Sequence, residues 1–170
     1  GYAVLNDDDD DLPIASMNTS DRTGNKADLL DQIYQTDSSG GTPLRRSLRD
    51  AGRHFECANN DIFESSGSSS PGDDACPVLA GPDGNCQQHF TLLLTDGAWN
   101  GGDPGIGNAD GDNNSNFDGN IYSGSYSNSL ADVAMHYYER DLHSSLTNEV
   151  PTTGRDQGGA ADDAFENGDN

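Results

Sequence analysis

The stretch Phe90-Thr-Leu-Leu-Leu-Thr-Asp96-Gly97 sets the strongest constraint on this fold. Residues 90–94 are almost continuously apolar, the pattern of a strand buried on both faces, and the run stops abruptly at an acid and a glycine. In open α/β sheets, ligands bind at the carboxyl ends of the strands. Asp96 is therefore expected at the mouth of a site, with Gly97 turning the backbone away. An aspartate in this position also caps the turn that follows, and the stretch by itself is compatible with both roles.

The core around such a strand must be small, or the chain must be part of a larger one. Apolar residues make up 31% of the 170 and aromatic residues 7%, enough for one domain. Thirty Asp and Glu against eight Lys and Arg give a formal charge of −22. That balance excludes a binder of nucleic-acid phosphates, opposes docking on an anionic membrane, and calls for screening by divalent cations or salt. No apolar run reaches membrane-spanning length, so no direct membrane insertion is expected. The start, Gly-Tyr-Ala-Val-Leu, lacks the regions of a signal peptide, and any targeting segment is expected upstream or already removed. Cys57, Cys76 and Cys86 lie within thirty residues rich in Ser, Gly, Pro and Asp and fit no zinc spacing. One disulfide and one remaining thiol in an oxidising compartment are expected, and the spacing leaves the pairing open.

Along the chain, residues 2–5 are expected as a strand and the five acids 7–11 as a solvated loop. Leu29, Leu30, Ile33 and Tyr34 recur at helical spacing, which predicts a helix over 26–35 with Asn25 as its cap. In Gly40-Gly-Thr42-Pro43-Leu-Arg, Thr42 is a good N-cap and Pro43 suits the first helical position. The stripe Leu44, Leu48, Ala51 and Phe55 continues that helix through Phe55. Capping alone explains Thr42. The two glycines before it also free the backbone to present its hydroxyl elsewhere. A third helix is expected to open at Asn128 or Ser129 and to end near His143, with Leu130, Val133, Ala134, Tyr137 and Tyr138 on one face.

Two Gly-, Asp- and Ser-rich stretches, 58–85 and 100–126, are expected as loop insertions. In the second, Asp110, Asp112, Asn114 and Asp118 place oxygen-bearing side chains on alternate residues, a pattern suited to calcium, which takes six to eight oxygens from a flexible loop. It is not an EF-hand, because Ser115 and Ile121 occupy the positions of the required glycine and glutamate. A solvated polar loop is the alternative.

Gly40-Gly-Thr42-Pro-Leu-Arg with its following helix, and the strand-end Asp96-Gly97, together resemble the second and third metal-binding motifs of von Willebrand factor A-type domains. With Trp99-Asn-Gly, the segment from Ser129 to Leu142 and Asn148-Glu-Val-Pro-Thr added, the series is similar to the PilY family of type IV pilus tip-associated adhesins. The resemblance runs over 1–156. It implies a partial doubly wound, Rossmann-like α/β fold, with 157–170 as an acidic flexible segment. It also implies that Thr42 and Asp96 help to hold magnesium or manganese at an adhesion site whose shell an acidic ligand group completes. The family's first metal motif, Asp-x-Ser-x-Ser, is absent, since Asp37-Ser-Ser39 is followed by Gly at 41. The chain is accordingly expected to be an internal piece of a larger, exported parent protein that supplies the missing ligands.

The expected function is therefore cell-surface adhesion or pilus biogenesis, with pilus subunits or a host or surface ligand as partner. The alternative is a cation-stabilised scaffold of an extracellular filament, without a ligand-binding metal site. An enzyme is not expected. Phosphate-transferring hydrolases need a second acid two residues beyond the strand-end aspartate, where this chain has Ala98, and its four histidines are scattered with no paired nucleophile.

Overall fold

A computed structural model describes residues 1–5, 7–12, 14–18, 20, 22–37, 40–63, 67–114 and 123–147, with 7–11 as backbone only. Asp118, the stretch 148–152 and the segment 157–170 lie outside the described residues.

The chain opens with an antiparallel hairpin, β1 (Tyr2–Val4) and β2 (Asp7–Leu12), in which Tyr2 pairs with Leu12 and Val4 with Asp7. The acidic run is thus a strand and not the expected loop. Extended backbone spaces successive residues by about 3.4 Å, a wide separation for a series of like charges, and pairing with β1 overrides the poor strand propensity of aspartate. Helix α1 (Asn25–Gln35) packs on β1, and the Tyr2 hydroxyl donates to Thr36 Oγ1 at 2.6 Å. The capping expected of Asn25 is done by Asn18, whose Oδ1 accepts from Lys26 N at 2.9 Å. Among the described residues, none covers the apolar side of α1 completely, and Ile33 and Tyr34 are exposed.

Helix α2 (Leu44–Phe55) packs against α3 (Leu130–Tyr138), and Leu44 and Val133 are both buried. Close approach depends on Gly52, because a Cβ built there would lie 2.5 Å from the Tyr137 ring. Gly52→Val should therefore force the helices apart and destabilise the chain by about 1–3 kcal/mol, read as a lower urea midpoint. An unchanged midpoint would mean that Tyr137 yields freely.

Ser129 opens α3 through a capping box: its Oγ accepts from Asp132 N, while Asp132 Oδ2 accepts from Ser129 N at 2.7 Å. The helix stops at Tyr138, short of His143. Arg140 Nε donates to His136 O, and Asp141 Oδ1 accepts from His143 N, which turns the chain.

The described residues of 58–85 are looped up to a 3-10 turn at Asp83–Cys86, and a Cys57–Cys76 disulfide pins them, which leaves Cys86 free and exposed. Ser69 N donates to Cys57 O, and Gly72 N to Val78 O over the buried Val78.

Residues 90–95 depart from expectation. They enter no ladder among the described residues, and Phe90, Leu92 and Leu94 are 75%, 84% and 81% exposed. A strand exists only through a hydrogen-bonded neighbour. The one described sheet is the β1–β2 hairpin, which packs with α1.

Candidate functional site

Thr42 and the loop opened by Asp96 meet at the N-terminal end of α2. Thr42 N donates to Asn100 Oδ1 at 2.7 Å, and Asn100 N returns a bond to Thr42 O at 2.9 Å. This pairing takes Thr42 out of the helix cap. α2 begins one residue later than expected, with Pro43 at its N-cap, no side chain capping it, and the Thr42 hydroxyl making no hydrogen bond among the described residues. Gly101, at φ 101°, lies so close to Pro43 that a Cβ would sit 2.8 Å from the Pro43 Cβ, so only glycine lets this loop rest on the helix start.

Asp96 is exposed. Its Oδ1 accepts a long bond from Ala98 N at 3.4 Å, while Gly97, at φ 102°, turns the chain as expected. No hydrogen bond links Asp96 to Thr42 directly. What joins their two loops is Asn100, a residue of the Trp99-Asn-Gly segment to which the sequence alone gave no site role.

Arg45 reinforces the junction. Its Nη1 donates to Asn128 O at 2.9 Å, its Nη2 reaches the carbonyls of Gly101 and Gly102 at 3.4 Å, and its guanidinium stacks 4.1 Å from the centre of the Trp99 ring. One turn on, Arg49 Nη1 donates to Pro104 O. Asn128, at φ 63°, gathers the rest of this loop, with Oδ1 accepting from Ile106 N and Gly107 N and Nδ2 donating to Asp103 Oδ2.

The described members of the alternating series in the second loop have different partners. Asp110 is buried, its Oδ1 accepting from Gly124 N at 3.0 Å, and its backbone N approaches Oδ1 of the fully buried Asp132 at 3.5 Å. Asp112 turns instead to Asn114, accepting from its N and Nδ2. Asn108 Nδ2 donates to Gly124 O, leaving a buried Oδ1 with no hydrogen bond.

Among the described residues, the group of three metal-ligating side chains drawn together is Cys57, Cys76 and His143. Its two sulfurs are bonded to each other and offer no thiolate, and His143 Nε2 lies 2.6 Å from Phe55 O. His54 and Asp61 form a buried pair at 2.7 Å, with His54 Nε2 making no hydrogen bond to any nucleophile.

Phe55, His89, Phe90, Tyr137, His143 and Leu146 help to line a cavity of about 220 Å³. Burial there lowers the His89 pKa from its ordinary value, and the nearby His143 and His54 lower it further. Because the folded-state value is depressed, the neutral ring's contribution to stability is present above pH ~6.5 and is lost as pH falls through the folded-state value. Urea midpoints should therefore decline below that pH, with a shallower decline in His89→Gln. Parallel pH profiles for the two proteins would count against this origin.

No helix among the described residues is long and apolar enough to cross a membrane. No protein-family model matches the chain, and no solved structure matches it. The chain is similar to the protein named type IV pilus biogenesis factor PilY1 in three strains of Pseudomonas aeruginosa. It is 28% identical over 137 residues in strain PAK, 29% over 131 in strain UCBPP-PA14 and 27% over 138 in strain PAO1. These alignments cover 76%, 74% and 76% of this chain but only 11%, 10% and 11% of the relatives, so the chain spans about a tenth of their length.

Proposed function

We propose that this chain is part of a larger, exported protein of the type IV pilus system, displayed at the cell surface, where it serves as an adhesion module for a ligand bearing an acidic group. The similarity to PilY1 across three quarters of the chain carries this proposal. The proposed fold of the parent domain is the doubly wound von Willebrand factor A type, with residues 90–95 as a central strand. Their exposed apolar side chains and the exposed Ile33 and Tyr34 of α1 support it, since a sheet would cover both.

Thr42 and Asp96 are the proposed ligands of a magnesium or manganese ion. Among the described residues both offer hard oxygens with few competing bonds: the Thr42 hydroxyl makes no hydrogen bond, and Asp96 accepts a single long contact. Two oxygens of this kind fit part of an octahedral shell, with the remainder coming from water, the parent chain and the ligand. Such an ion supplies a point of positive charge for a carboxylate, and the chain is proposed to bind and not to catalyse. Chelation should abolish attachment or pilus display by cells carrying the parent protein, and added magnesium should restore it. Attachment indifferent to chelation would remove the metal from the mechanism.

A second reading, a cation-stabilised scaffold, draws on the buried Asp110 and Asp132 and the unpartnered Asn108 Oδ1. It requires a calcium-dependent rise in Tm that survives Asp96→Ala and disappears in Asp110→Asn. A calcium effect equal in both variants and the wild type would reject it.

A further inference from the structure

In a chain with thirty acids and eight bases, Arg49 and Arg53 pair with Asp50, and Arg140 with Glu56, whereas Arg22, Arg45 and Arg46 have no carboxylate partner among the described residues. Of these three, Arg45 is the one whose guanidinium is held in place, by loop carbonyls and the Trp99 ring. Among the described residues its guanidinium donates hydrogen bonds only to carbonyl oxygens. The contacts of Nη2 are both long at 3.4 Å, and the buried Nε has no hydrogen bond. Nε–H and Nη2–H lie on one edge of the planar fork, the edge that takes both oxygens of a carboxylate in a bidentate pair. The edge left under-satisfied is therefore the one suited to an acid.

Its surroundings hold that edge in place. Trp99 stacks on the guanidinium face and is itself 47% exposed, so the indole can cover a ligand's apolar stem. The reciprocal Thr42–Asn100 bonds anchor the loop that carries Trp99, and the weak Gly101 and Gly102 contacts are the ones an incoming carboxylate would replace.

We infer that Arg45, with Trp99, is a specificity-determining residue that receives a Glu or Asp side chain of a protein partner through its Nε and Nη2 edge. The inference rests on the proposed adhesion role for the acidity of the ligand, but it needs no metal.

Trp99 is the only tryptophan, so its emission reports on the site. The chain is titrated with an end-blocked tri-glutamate peptide and with its tri-glutamine counterpart, each with magnesium and with chelator. A saturable emission change with tri-glutamate alone that persists under chelation is expected. It should weaken at least about tenfold in Arg45→Ala and also in Arg45→Lys, which keeps the charge but loses the fork. Arg45→Lys also guards against a folding defect in Arg45→Ala, with thermal unfolding as the control. A response that disappears on chelation and is unaltered in Arg45→Lys would overturn the inference while leaving the metal site standing. A response to both peptides, or to neither, would also overturn it.

Discussion

Cys76→Ser should lower the stability of this chain by about 3 kcal/mol, the loss expected when a cross-link closing a loop of this length is removed from the unfolded ensemble. The Cys57–Cys76 bridge closes a sequence separation of 19. The buried Asp61, paired with His54, holds the start of that loop, and the bridge offsets the conformational entropy of its mostly exposed later part, residues 67–75. Cys57 is itself buried at the C-terminal end of α2, with His143 Nε2 3.7 Å from its sulfur, so loosening the loop should also disturb the turn after α3. Cys57→Ser and a dithiol reductant should reproduce the loss, whereas Cys86→Ser should leave the urea midpoint unchanged, since that thiol is exposed and free. Equal midpoints for Cys76→Ser and the wild type would show that the loop is held by its other contacts.

Asp96→Ala should reduce divalent-cation-dependent attachment by the parent protein at least about tenfold, because a hard cation that loses an anionic oxygen holds its remaining ligands far more weakly. The substitution should cost the fold little, since Asp96 is exposed and its one long bond caps a turn already set by Gly97. Thr42→Val, which removes the hydroxyl and keeps the shape, should act in the same direction. Its backbone bonds with Asn100 do not depend on the side chain. Loss of attachment with an unaltered melting profile separates a ligand role from a structural one.

Much of the helical framework was legible because it is written locally. The Thr42-Pro43 start and the apolar stripe located α2 to within a residue, and Ser129 was one of the two expected caps of α3, though the box it forms with Asp132 was not read from the sequence. Long-range pairing was not legible. The bond from Thr42 to Asn100 spans 58 residues and the contact from Arg45 to Gly101 spans 56, and no periodicity reports either; Trp99-Asn-Gly-Gly after a strand-end acid was the available hint. Strand identity failed in both directions for one reason. The acids of β2 look unlike a strand yet have a partner in β1, while residues 90–95 look like a buried strand and have none among the described residues. A local pattern records how a segment would be buried, not what stands beside it.

The most direct measurement is a double-mutant cycle on manganese affinity in the parent protein, with Thr42→Val, Asp96→Ala and their combination titrated by electron paramagnetic resonance. If the two residues hold one ion, each single variant loses the same tight site and the double variant loses little more. Retention of that site in both single variants, or two independent losses that simply add, would show that Thr42 and Asp96 share no ion.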